Sequence, residues 1–115
     1  MTTIYHNPRC SKSRETLALL EEKGIDAEVV LYLETPPDAA RLTELIAQLG
    51  FKSARDLMRK GEAEYAELGL DNPALDEAAL IAALAAHPRL IERPIVVHGA
   101  QARIGRPPAS VLELF

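Results

Sequence analysis

The residues with the clearest chemical potential lie in one short stretch, His6-Asn7-Pro8-Arg9-Cys10-Ser11-Lys12-Ser13-Arg14. It contains the only cysteine of the 115 residues. Before it, Thr2-Thr3-Ile4-Tyr5 is short and β-branched or aromatic, as a strand should be. After it, Ser11 to Lys23 reads as a helix that Gly24 stops. A strand-to-helix turn aims unsatisfied backbone N–H groups, and the positive end of the helix dipole, at whatever sits in its mouth. A cysteine there should ionise below its usual pKa of about 8.5. Arg9, Lys12 and Arg14 add positive charge nearby. The stretch is therefore an anion-binding loop that holds a thiolate nucleophile. The opposing possibility, a small inert buried cysteine, fits poorly with such polar neighbours.

The other loop residues have simpler roles. His6 either lowers the thiol pKa or orients the turn by hydrogen bonding. Asn7 can brace the loop through its backbone, and Pro8 stiffens it. Ser11 and Ser13 can cap the helix or donate to an anion. Position 13 is serine, so no dithiol cycle can run inside this chain. A redox role for Cys10 then needs a thiol from outside.

Three more arginines stand beside residues that fix the backbone: Arg59 near Gly61, Arg93 before Pro94, and Arg106 between Gly105 and Pro107. A single arginine is ordinarily solvated surface. Guanidinium forks nevertheless match tetrahedral oxyanions better than lysine does. Several of them around a thiolate would offset the repulsion between two anions and stabilise charge in the transition state.

The rest of the chain must position these groups. Leu17, Ala18, Leu19 and Leu20 supply the expected core face of the first helix. Ala27 to Leu31 reads as a second strand, with apolar residues nearly together as in a buried parallel strand. Strand, helix and strand make a βαβ unit. Thr35 with Asp38 resembles a capping box, and Leu42, Leu45, Ile46 and Leu49 follow at helical spacing up to Gly50. Shorter helices are expected over Ser53 to Lys60 and Glu62 to Leu68, and Asp76 caps one that turns Leu80, Ile81 and Leu84 inward. Residues 35 to 87 thus form a helical block inserted between strands 2 and 3. Pro94 to His98 and Gln101 to Ile104 read as a hairpin about Gly99 and Ala100, and a last helix begins at Arg106-Pro107-Pro108. The order β-α-β, helical block, β-β-α resembles the thioredoxin-like α/β plan: a mixed four-stranded sheet in a single domain spanning residues 1 to 115. That plan places a cis proline at the start of the third strand, so Arg93-Pro94 is expected to be cis.

Composition limits the alternatives. Apolar content is 48% and charged content 26%, the proportions of an ordinary globular protein. A net charge of −4 opposes general binding to nucleic acid or anionic membranes. No apolar run approaches the roughly 20 residues that span a bilayer, and no signal peptide is visible. With one cysteine, these features point to the cytoplasm. One cysteine and three scattered histidines lack metal-ligand spacing.

The motifs His6-Asn7-Pro8-x-Cys10, Ser13-Arg14, Arg59 with Gly61, Leu90-Ile91-x-Arg93-Pro94-Ile95 and Gly105-Arg106-Pro107 together resemble the glutaredoxin-dependent arsenate reductase (ArsC) family, over almost the whole chain. A monomer is expected, and the resemblance implies that Cys10 is the nucleophile and His6 tunes it. Arg59, Arg93 and Arg106 would bind the oxyanion, with Asn7, Ser13, Arg14 and Pro94 supporting the loop. It further implies reduction of arsenate to arsenite through an arsenic–thiol intermediate, with glutathione as co-substrate, glutaredoxin as partner, and no bound cofactor or metal. Ser11-Lys12 follows the cysteine where the best-known members carry Gly-Thr. Two other readings share parts of this pattern. A glutathione-dependent thiol-disulfide reductase needs Cys10 but not all three arginines. An Spx-like regulator uses a Cys-x-x-Cys switch, which Ser13 removes.

Overall fold

A computed structural model describes residues 1–115. Its contacts divide the chain into two compact units, Met1–Thr35 with Arg93–Phe115, and Pro36–Glu92. The division falls at the ends of the inserted helical block.

The first unit is built on a four-stranded sheet in the order β2-β1-β3-β4. Its strands are β1 (Thr2–Tyr5), β2 (Glu28–Val30), β3 (Ile95–His98) and β4 (Gln101–Ile104). β1 pairs in parallel with β2 and antiparallel with β3, with Ile4 opposite both Val29 and Val96. β3 and β4 form the antiparallel hairpin, turned at Gly99 with φ of 61°. The mixed sheet is the thioredoxin-like one. Helix α1 (Ser11–Glu22) joins β1 to β2, and a 3-10 segment, Pro108–Leu114, closes the chain. Ile4, Leu20, Val96, Val111 and Leu114 form the core of this unit.

Two details depart from the expected pattern. The buried stripe of α1 is Ser13, Thr16 and Leu20, and Ala18 is exposed. Position along the helix, not side-chain polarity, decides which residues face the sheet; the two hydroxyls are buried because they hydrogen-bond locally. β2 is not a strand buried on both faces but a sheet edge, and Val29 is 43% exposed. A run of apolar residues cannot say which strand of a sheet lies outermost.

The second unit holds α2 (Ala39–Leu49), α3 (Ala63–Glu67) and α4 (Glu77–Ala86), with 3-10 turns at Ala54–Leu57 and Pro88–Leu90. Leu42, Leu45, Leu57, Leu80, Leu84 and Leu90 are fully buried, whereas Ile81 is only partly so. Asp38, Ser53 and Asp76 cap their segments by accepting backbone N–H bonds. Thr35 takes no part in the capping of α2; its hydroxyl donates to the Leu31 carbonyl. The helix expected over Ser53 to Lys60 shrinks to one 3-10 turn, because Met58 is extended and bridges to Ile91. The last helix likewise starts two residues late and is 3-10, since Pro107 stays extended as its cap. None of the helices is long and apolar enough to cross a membrane.

Leu20 is fully buried where α1 meets the sheet. Leu20→Ala should cost about 2–5 kcal/mol of unfolding free energy, read from urea denaturation. A loss below about 1 kcal/mol would show that α1 is not anchored there.

Candidate active site

Cys10 is the N-cap of α1, with φ of −96° and ψ of 124°. Its side chain accepts no ordinary cap bond, so the sulfur lies at the open end of the helix. The turn that delivers it is closed at both levels of structure. The Cys10 N–H donates to the Asn7 carbonyl at 3.0 Å, and the Arg14 N–H donates to the Cys10 carbonyl at 3.0 Å. The Asn7 side-chain oxygen accepts the Arg9 N–H at 3.0 Å, an Asx-type turn. Arg14 Nη1 donates to the Pro8 carbonyl at 2.9 Å.

Ser13 ties the loop to the helix. Its hydroxyl accepts the Asn7 N–H at 3.0 Å and shares a hydrogen bond of 2.6 Å with His6 Nδ1. His6 is buried, and burial, helped by the positive charge of Arg14, lowers its pKa below the usual value. The imidazole is therefore neutral near pH 7. His6 acts on the loop through Ser13, whose own N–H faces the Cys10 sulfur.

Burial of the sulfur works against ionisation, but four favourable contributions outweigh it. These are the Ser13 N–H, the Arg93 charge, the Lys12 N–H and the Arg106 charge, and together they hold the thiol below its ordinary pKa. Arg106 Nη2 lies 3.5 Å from Cys10 Sγ. Its Nε donates to the Arg93 carbonyl at 2.8 Å, which ties the two arginine positions together. The cations nearest in sequence are otherwise engaged or turned outward. Lys12 pairs with Glu15 at 3.3 Å, Arg14 holds Pro8, and Arg9 is exposed. Lys12 serves the sulfur through its backbone.

The first unit thus brings together Cys10, His6, Asn7, Ser13, Arg14, Arg93, Pro94 and Arg106. Arg59 belongs to the helical unit, where its guanidinium pairs with Glu62 at 3.5 Å and Glu62 also pairs with Arg89 at 3.2 Å. Arg93-Pro94 is cis, and so is Arg106-Pro107, which sequence reasoning did not anticipate. Gly105 does more than fix the backbone at Arg106. In the structure its N–H donates to the Pro94 carbonyl at 3.0 Å, and a β-carbon there would meet Thr16 Oγ1 and lie 2.8 Å from Pro94 Cγ. Thr16, also unanticipated, is fully buried and donates its hydroxyl to the Lys12 carbonyl at 2.7 Å. No cluster of His, Cys, Asp or Glu is arranged to hold a metal ion.

A thioredoxin-like sheet with a thiolate at a helix N-terminus and arginines around it defines a class of thiol-dependent proteins that handle anions. Residues 5–114 match the ArsC family, and the chain belongs to that family. It is 62% identical over 111 residues to the uncharacterized protein YfgD of Escherichia coli, covering 96% of this chain and 93% of that protein. It is 59% identical over 104 residues to a Neisseria meningitidis arsenate reductase, covering 90% and 89% of the two chains. A solved arsenate reductase structure from Vibrio cholerae superposes with a TM-score of 0.98 at 56% identity, over 99% of this chain and 97% of that one.

Two outcomes test this geometry. The rate of Cys10 alkylation by iodoacetamide should rise with pH to a plateau, with its midpoint below about 8.5. Because a positive charge favours the thiolate, Arg106→Gln should move the midpoint upward; an unmoved midpoint would separate Arg106 from the sulfur. Gly105→Ala should destabilise the fold by about 1–3 kcal/mol through overpacking against Thr16 and Pro94, measured by thermal melting. Full stability would show that the contact relaxes freely.

Proposed function

We propose that this chain is an arsenate reductase that draws its electrons from glutathione and glutaredoxin. The observation that carries the reading is Cys10 Sγ at the N-terminus of α1, facing the Ser13 and Lys12 N–H groups and the Arg93 and Arg106 charges. That arrangement suits a nucleophile whose electrophile is itself an anion. The Neisseria and Vibrio relatives are arsenate reductases, and that likeness supports arsenate as the substrate.

In this proposal the oxyanion binds at the Cys10 turn, with Arg93 and Arg106 as its guanidinium ligands and Arg59 carried over from the family pattern. The Cys10 thiolate attacks arsenic, and an arsenate oxygen departs as water, leaving a Cys10–S–As(V) ester. Glutathione adds its sulfur to the arsenic with loss of a second water. The thiolate of glutaredoxin then attacks the glutathione sulfur. A mixed disulfide forms, the S–As bond breaks, and its electron pair stays on arsenic, which becomes trivalent. Water displaces the Cys10 sulfur, releasing arsenite and restoring the thiolate. The protein's part is to keep Cys10 ionised and to neutralise the charge that builds on the arsenic oxygens. No step requires a bound cofactor. In this proposal the protein acts in the cytoplasm as a monomer and as a single reductase domain; the family match over residues 5–114 is consistent with the single domain.

The experiment is arsenate-dependent NADPH consumption with glutathione, glutaredoxin and glutathione reductase supplied. Cys10→Ser should abolish turnover, and Arg93→Ala should lower it by roughly 10²–10³. Thiol transfer to a small disulfide that persists without arsenate turnover would replace this reading with a general glutathione-dependent thiol reductase.

A further inference from the structure

The sheet-based unit carries a concave surface beside the catalytic loop. It is a cavity of about 330 Å³, within the ordinary range of small-molecule sites, about 300–1,000 Å³. One wall is the loop itself, at Asn7, Pro8 and Arg9; the other is the segment after β2, at Leu31, Leu33 and Glu34. Leu31 and Leu33 are 36% and 40% exposed, a large apolar surface left in the open.

The charges on this cavity are unspent. Arg9 and Glu34 each use only the backbone N–H, Arg9 toward Asn7 Oδ1 and Glu34 toward the Leu31 carbonyl. Their side chains are exposed and pair neither with each other nor with another group of the chain. A guanidinium and a carboxylate that line one apolar-walled cavity without neutralising each other suit a ligand carrying both signs. The cavity is also close to the reacting sulfur. Asn7, on its wall, closes a four-residue turn with Cys10 through the 3.0 Å hydrogen bond. Such turns keep their first and last Cα atoms within about 7 Å. The cavity therefore adjoins the turn that carries Cys10.

We propose that this cavity binds the thiol co-substrate, a zwitterionic tripeptide of the glutathione class. Glu34 takes its ammonium group, Arg9 takes a carboxylate, and Leu31 and Leu33 lie along its methylene groups. This rests on the reading of glutathione as thiol donor. It gives the donor a place on the β2 side of the loop, apart from the oxyanion at the helix terminus.

The test uses the full chain, isotopically labelled, titrated with S-methylglutathione, which cannot react. Amide NMR shifts should concentrate at residues 6–9 and 31–34. Glu34→Gln and Arg9→Gln should each weaken binding by about two- to fivefold, the worth of one exposed ion pair. N-acetyl-S-methylglutathione, which lacks the ammonium group, should bind the wild type more weakly and lose nothing further on Glu34→Gln. In turnover, the KM for glutathione should rise in both variants while that for arsenate stays fixed. Shifts elsewhere, no shifts, or unchanged affinity in both variants would overturn the proposal. Binding is read without turnover, so tripeptide binding at this cavity with no arsenate reduction would leave the site standing and remove the function. Glutathione-dependent reduction with shifts elsewhere would do the reverse.

Discussion

The Ser13 hydroxyl is the point on which the site depends. It is fully buried and joins three parts of the chain: its own helix, the Asn7 backbone and the His6 ring. A buried hydroxyl without partners would be costly. Here its partners are the residues that begin the loop, so satisfying it also fixes the entry to the helix. The Cys10 position follows, since the Asn7 carbonyl holds the Cys10 N–H. Ser13 thus has a mechanical role of its own.

The electrostatics are built on this mechanical base. A half-buried sulfur would ordinarily stay protonated, because burial disfavours its charge. Two backbone N–H groups and two guanidiniums reverse the balance. The N–H groups come from α1, and the guanidiniums come from the two ends of the β3–β4 hairpin. Hydrogen bonds from Gly105 to Pro94 and from Arg106 to Arg93 bind those ends to one another. The hairpin therefore presents its arginines as one unit, and Gly105 lets Thr16 and Pro94 approach it closely.

Much of this was legible in the sequence, and the exceptions share a physical origin. The βαβ start, the hairpin and the caps Asp76 and Ser53 are local, so spacing and turn chemistry reveal them. The sequence hides the buried stripe of α1 because two of its three members are hydroxyl residues, whose satisfaction depends on the Lys12 carbonyl and His6. The exposure of β2 is not visible in the sequence because its place at the sheet edge is decided by the whole topology. The cations closest to Cys10 in sequence turned elsewhere, while Arg93 and Arg106, more than 80 residues away, act on the sulfur. Direction of a side chain along a helix turn is not a property of sequence distance. Arg106 was found through its flanking Gly and Pro, whose backbone restrictions are visible without a structure.

The absence of a second thiol in this chain also bears on how the protein ages in use. A cysteine whose thiol pKa is held below the ordinary value is more open to peroxide as well as to substrate, and forms a sulfenic acid. Proteins with a neighbouring cysteine trap that acid as an internal disulfide before it oxidises further. Ser13 sits where such a guardian would stand, and its oxygen cannot serve. In the proposed reaction, rescue of an oxidised Cys10 would therefore fall to the same external thiol pool that supplies its electrons. On that reading a fall in the pool would weaken catalysis and repair together, and leave the sulfur to drift toward the irreversible acids.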